Sequence, residues 1–432
     1  MTSFNYEIVA SPLLGQEALE ELSGEYERAF AELGGRALSE SVHSGGCPPI
    51  FFLATGGTER LVVESVYTRA RAPDAERSER PFPVILVAHP GNNSLPAALE
   101  VLARLQQDGM RGRVVFLESA RDERGLELLR RSLASGESYV ATSSGKDSVA
   151  PRSARRPLAG RRIGLVGQPS EWLVASSPEP SLVRDVWGAE TVEIVMAELE
   201  RRVRTCDASS ATLFARAHRS WASRVDEPED SDLVASGMIH AALRSLVDEY
   251  QLDAVALRCF DLVMRARATG CLALSRLADQ GVVAACEGDL PSAIAMLWVR
   301  ELLGEPSWMA NAASVDVSRN TLVLAHCTIP ISMVSVFALR SHFESGVGAA
   351  VEGEITDGPA TVLRIGGARL DRIWLAEADI VSRGRDSDKC RTQVELALRG
   401  GARVSELLER PLGNHLVLTR GHVARDLREH AV

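Results

Sequence analysis

The chain has 432 residues, 45% of them hydrophobic, and a formal net charge of −10. That length accommodates two or three domains, each burying its own core, and the acidic balance argues against nucleic acid as the main partner, since phosphate binding needs a basic surface. No apolar run reaches the ~18 residues of a membrane helix, and Met1 to Glu7 has neither a basic stretch nor an apolar core, so no membrane partner and no signal peptide are expected and the default location is cytoplasmic.

In the N-terminal part, Pro49–Leu53, Pro83–Ala88 and Arg113–Leu117 read as strands, and Leu95–Gln107 and Glu123–Ala134 as helices. Such alternation implies a parallel sheet. Two strands run into polar, glycine-bearing turns, Thr55-Gly56-Gly57-Thr58-Glu59 and His89-Pro90-Gly91-Asn92-Asn93-Ser94. Neither is GxGxxG or a P-loop, so no nucleotide is inferred. Thr142–Pro157, rich in Ser, Arg, Gly and Pro, reads as a linker or long surface loop. A second α/β unit follows, with strands at Arg162–Gly167, Val192–Val195 and Leu252–Leu257 and long amphipathic helices between them. The acidic run Asp226–Asp232 reads as a solvated loop.

Gly281–Ala285 reads as a short buried strand, broken at Gly288 and Pro291, with helical periodicity over Ser292–Leu303. Thr321–Leu324 is a further apolar strand. Beyond about Ser307 come the short β-like runs Val347–Glu354, Ala360–Ile365, Arg372–Ala376 and Gln393–Leu398, which argue for an antiparallel sheet or barrel, and Val423–His430 reads as a terminal helix. The expected fold class is α/β: two Rossmann- or flavodoxin-like domains, residues 1–157 and 158–306, followed by an antiparallel β-barrel-like domain, residues 307–432. The seven cysteines lack CxxC spacing. Cys259, Cys271, Cys286 and Cys327 lie in apolar segments or beside candidate site residues, which favours buried reduced thiols.

The most informative stretch is Ala285-Cys286-Glu287-Gly288-Asp289-Leu290-Pro291, followed by Ala325-His326-Cys327. It places Glu287 at the carboxyl end of a strand, where open α/β sheets bind ligands, and His326 at the tip of another. A carboxylate and a histidine so delivered are components of a divalent-metal site. Asp289 at the same turn has the position of an N-cap for the Pro291 helix.

At these residues the chain resembles the L-arabinose and L-fucose isomerase superfamily, in particular its shorter fucose isomerase-like members. Supporting segments, in order, are Ala54-Thr55-Gly56-Gly57-Thr58-Glu59, Gly91–Ala97, Leu257-Arg258-Cys259-Phe260-Asp261, Thr269-Gly270-Cys271, Ser341–Gly346, Cys390-Arg391-Thr392-Gln393 and Gly413-Asn414-His415. The resemblance implies a manganese or similar divalent ion held by Glu287, His326 and His415. It also implies a trimer- or hexamer-type homo-oligomer, with the turns at Thr55–Glu59 and Gly91–Ser94, including Asn92 and Asn93 as substrate contacts, reaching a neighbour's site. The chain departs from the sugar isomerases at Trp308-Met309-Ala310-Asn311, where they carry an acidic second ligand and catalytic partner. An amide oxygen of Asn311 can coordinate a hard cation but brings no charge and cannot exchange a proton.

Glu344, beside His342, is a candidate for the missing acid, and His342 for a substrate contact. Arg258 and Arg391, each next to a cysteine, read either as fixed cations for an anionic substrate group or as members of buried ion pairs. The favoured function is a metal-dependent aldose–ketose isomerase that moves a proton through an enediol on a sugar or sugar-derived substrate. The alternatives are a lyase, epimerase or decarboxylase reaction on a modified or anionic sugar, or a non-catalytic carbohydrate-binding protein.

Overall fold

The structure, a computed structural model, describes residues 3–12, 14–38, 50–70, 83–134 and 156–431. The expected linker lies outside these residues except for its last two positions. Five parallel strands form the first sheet: β1 (Phe4–Val9), β2 (Gly35–Ala37), β3 (Ile50–Leu53), β4 (Val84–Ala88) and β5 (Gly112–Phe116), in the order β2-β1-β3-β4-β5. Every residue of β3 and β4 is buried, as expected where helices cover both faces of a parallel sheet. The strand order reverses between β1 and β3, and that reversal opens a crevice at the carboxyl ends of the strands. There the turns touch: Ser11 N–H donates to Thr55 Oγ1 at 2.7 Å, and Gly56 N–H to the Asn92 carbonyl at 2.8 Å.

The next strands are β6 (Arg162–Val166), β7 (Glu190–Ile194), β8 (Arg224–Val225), β9 (Ala254–Leu257) and β10 (Val283–Cys286). All but β8 form a second parallel sheet, ordered β10-β9-β6-β7. From residue 307 come β11 (Ser307–Asp316), β12 (Thr321–His326), β13 (Val336–Arg340), β14 (Ala350–Glu354), β15 (Gly358–Gly366), β16 (Arg372–Arg383), β17 (Thr392–Leu398) and β18 (His415–Arg420). Six of them close an antiparallel barrel, β11-β12-β17-β16-β15-β18, in which β11 also pairs with β18. Closure leaves no edge strand to protect.

Two expectations need correction. The run at Val347–Glu354 forms β14, which stands outside the barrel in a small sheet with β13 and β8. The acidic run Asp226–Asp232 is not simply solvated. Glu227 is gripped by Arg340 at 2.5 Å, while Glu229 and Asp232 make a capping box for the helix Asp230–Tyr250. Local sequence cannot reveal an arginine more than a hundred residues away.

Two helices fix the barrel in place. Ser94–Gln107 is buried along most of its length, and its Leu95, Leu99 and Leu102 share one core with Leu86 of the first sheet and Trp308, Leu324 and Leu396 of the barrel. Leu290–Leu303, apolar almost all round, packs between the second sheet and Met309, Leu363 and Val417. A helix apolar on every side is a buried one. Among the described residues no helix is long and apolar enough to cross a membrane.

Candidate active site

β10 ends at Cys286, and the chain turns at Glu287 with φ 61°, a left-handed conformation that costs a residue bearing a Cβ about 1–2 kcal/mol. Backbone bonds hold the turn: Ser170 N–H donates to the Glu287 carbonyl at 2.9 Å, and Gly288 N–H to the Leu257 carbonyl at 3.0 Å. A Cβ on Gly288 would lie 2.9 Å from Pro169 Cα, so glycine is what lets the 169–172 loop close against the turn. That loop brings Trp172, whose indole N–H donates to Glu287 Oε2.

The other Glu287 oxygen faces the barrel. Its Oε1 is 3.7 Å from His326 Nε2 and 3.3 Å from His415 Nε2. Register explains the convergence. Asn311 on β11 pairs with Ala325 of β12 on one side and with His415 of β18 on the other, so the two histidine strands flank it. Directly paired residues share a face, which sets the Asn311 amide beside His415.

Each imidazole is held through its other nitrogen. His326 Nδ1 is hydrogen bonded to Thr328 Oγ1 at 2.9 Å, and His415 Nδ1 to Asp289 Oδ2 at 2.7 Å. This is the outer-shell pattern that fixes the tautomer and aim of a metal-binding histidine. Asp289 also caps its helix, accepting from Ser292 N–H at 2.8 Å, as its position in the sequence predicts. Beneath it runs a buried polar chain. Arg364 reaches Asp289 Oδ2 at 3.0 Å and Ser176 Oγ at 2.6 Å, and Glu100 takes hydrogen bonds from Ser176 Oγ, Ala175 N–H and Asn414 N–H. It ties the first α/β unit to the barrel directly under His415.

Electrostatics follow from this geometry. Burial alone would push the Glu287 carboxyl up, but His415 and His326 outweigh it and hold the group well below the usual carboxylate range. Burial likewise opposes charge on His415, yet Glu287 and Asp289 raise its pKa to about 10. Ligand atoms of Glu287, His326 and His415 all lie within 4.8 Å of one another, a group able to hold a metal ion. Two buried atoms there, His415 Nε2 and Asn311 Oδ1, have no hydrogen-bond partner among the described residues. Lone donor atoms beside a carboxylate are what a divalent cation satisfies, so the residues fit such an ion.

The remaining candidates surround this centre. Glu344 accepts a hydrogen bond from Asn93. Burial of its carboxyl group, with Glu287 adding, raises its pKa despite the pull of His342. His342 is buried and its Nδ1 bonds Ser345 Oγ at 2.9 Å. Asn92 and Asn93 are both left-handed and form the turn that meets Gly56. Within the chain, Asn93 joins this turn to Glu344.

The two arginines differ. Arg258 is paired with Asp261 at 2.9 Å and Glu171 at 3.5 Å, and it bonds the Pro169 carbonyl, which makes it a strut of the Trp172 loop. Arg391 precedes Thr392, the partner of His326 across β12 and β17. It donates only to the carbonyl and hydroxyl of Ser341, and no carboxylate among the described residues pairs with it.

No family model matches the chain. It is 26% identical over 293 residues to the sulfoquinovose isomerase of Alkalicoccus urumqiensis, a match covering 62% of each chain. The similarity is distant. The sulfoquinovose isomerases of Priestia aryabhattai and Priestia megaterium are each 23% identical over 227 residues, covering 49% of this chain and 51% of theirs. The matches thus span between about half and three-fifths of the relatives' length.

Sequence reasoning missed Trp172, Thr328, Arg364, Ser176 and Glu100. Thr328 stood two positions from a candidate ligand and was within reach of inference. For the others no local signal exists, because their partners lie 72 to 314 residues away.

Proposed function

We propose that the protein is a metal-dependent aldose–ketose isomerase of the L-fucose/L-arabinose isomerase-like superfamily, acting on an anionic, sulfonated sugar. The observation that carries the reading is the pair of imidazole Nε2 atoms turned on a single Glu287 oxygen, each ring held from behind by Asp289 or Thr328. Distant kinship with sulfoquinovose isomerases supports both the reaction and the substrate class. Glu287, His326 and His415, with the Asn311 amide oxygen, would hold a divalent ion such as Mn²⁺. Such an ion supplies fixed positive charge for two adjacent sugar oxygens.

The chain's own residues do the rest. Glu287, ionised by its imidazole neighbours, is the base for the carbon-bound proton. Arg391, which no carboxylate among the described residues pairs with, would take the sulfonate, which accepts a forked pair of N–H bonds. Asn93 and Glu344, bonded to each other, would supply further polar contacts to the sugar. The amide at Asn311 in place of a carboxylate lowers the negative charge of the site, which suits a substrate bringing its own.

The test is direct: Mn²⁺-loaded protein is incubated with a sulfonated aldohexose and the products are followed by NMR. The 2-ketose is expected. An epimer or cleavage fragments would indicate the lyase or epimerase reading on the same metal site, and binding without turnover would indicate a carbohydrate-binding protein.

A further inference from the structure

Glu59 is absent from the site described above, yet it opens the helix Glu59–Ala70 at the carboxyl end of β3, on the Thr55–Glu59 turn. It is 3% exposed, and its Oε2 is buried with no hydrogen-bond partner among the described residues. Buried polar atoms are almost always paired, and an unpaired buried carboxylate is costly enough that such a group keeps its proton instead. The turn carrying Glu59 is clamped to the Asn92–Asn93 turn: Gly56 N–H donates to the Asn92 carbonyl at 2.8 Å, and a Cβ on Gly56 would lie 2.9 Å from Asn93 Cβ. Asn93 in turn donates to Glu344. Glu59 thus sits on a turn tied through Asn92 and Asn93 to Glu344, near enough to Glu100, Glu287 and Glu344 for their charges to act on it.

We propose that Glu59 is a carboxylic acid that relays a proton between the two oxygens of the isomerising sugar, the work left undone by the amide at Asn311. The inference rests on the isomerase reading. Burial pushes the Glu59 carboxyl well above its ordinary value, and the acidic neighbours Glu100, Glu287 and Glu344 add to the shift against its own backbone N–H. A protonated carboxyl in that position can both donate and accept.

The step balances without any co-reactant. As the base takes the proton from C2, the C2–H electron pair becomes the C1=C2 bond, the C1=O pair moves to O1, and O1 takes the Glu59 proton. In the second half the Glu59 carboxylate removes the proton from O2 as C2=O forms, and the base returns its proton to C1. Aldose becomes ketose and both groups are restored.

The test compares wild type with E59Q, Mn²⁺-loaded, on a sulfonated aldohexose in deuterated water. Loss of a positioned acid costs roughly 10²–10⁴-fold, so kcat should fall at least about 100-fold while KM and the Mn²⁺-induced thermal shift are retained. Because C2 can still lose its proton, deuterium in recovered aldose should rise relative to ketose formed, a ratio that a merely structural role would not move. Wild-type kcat in E59Q, or an unchanged exchange ratio, overturns the relay while leaving the isomerase reading intact. Wild-type protein that makes no ketose overturns both. If E59Q loses the Mn²⁺ shift, E59D decides, since it keeps the acid: a fall below about tenfold supports the relay, and a fall equal to that of E59Q overturns it.

Discussion

Glu287 is the carboxylate that both imidazole Nε2 atoms face, so Glu287→Gln removes the charge while keeping size and shape. Changes behind a ligand already cost about 10–100-fold in metal affinity, and loss of the ligand's charge should cost at least the upper figure, read as Mn²⁺ titration by thermal shift or paramagnetic resonance. Retained stoichiometric Mn²⁺ would remove Glu287 from the metal site. Asn311→Asp tests the opposite change. A carboxylate beside His415 should tighten Mn²⁺ binding but repel an anionic sugar, and kcat/KM on the sulfonated aldohexose should fall about tenfold, roughly 1.4 kcal/mol. A clear gain on neutral aldoses alone, with no loss on the anionic sugar, would show that the site is an ordinary isomerase centre weakened by the amide.

At the scale of elements, Asp289 serves a helix and a histidine at once, and substitutions can separate the two duties. Asn caps a helix as well as Asp does, so Asp289→Asn should leave Leu290–Leu303 in place while removing the charge from His415 and Arg364. Breaking a buried ion pair costs about 3–5 kcal/mol, and denaturant unfolding should register a loss of that size. Asp289→Ala should lose about 1 kcal/mol more, because the cap goes too. Equal losses in the two variants would show that the cap contributes nothing.

This double role also marks where local reading stops. Glu287 and His326 stood out because each ends an apolar strand, and His415, at the turn before Leu416–Leu418, through the family resemblance; the strands themselves were legible from their apolar runs. Arg258 and Arg391 looked alike, each beside a cysteine. Only the fold shows that the first has Asp261 and Glu171 as partners, while the second meets Ser341 and no carboxylate among the described residues. Arg364 gave no sign at all: an arginine inside the strand pattern of β15 reads as solvent-facing until the helix cap opposite it is known.

At the scale of the whole molecule, the two α/β units and the barrel meet around one buried charge cluster, which makes stability depend on pH and metal together. In chelated protein His415 is raised to about 10, against about 6.5 in the unfolded chain. The stability it contributes is therefore fully present below about pH 6.5 and disappears as pH climbs through about 10. Glu287 and Asp289 are held below their ordinary values, both by His415 and Asp289 also by Arg364, so their contribution is present at neutral pH and is lost on acidification.

A bound cation reverses the alkaline limb, because it needs the neutral imidazole and must displace the proton. Affinity for Mn²⁺ should then rise by up to roughly tenfold per pH unit across the range in which His415 remains protonated. Scanning fluorimetry of Mn²⁺-loaded and chelated protein between about pH 6.5 and 9 checks this, since the linkage between ligand affinity and stability converts each tenfold gain into about 1.4 kcal/mol. The gap between the two melting temperatures should widen steadily with pH. A gap that is flat or narrows over that range would mean that the His415 proton is not what the metal displaces, and His415 would leave the ligand set.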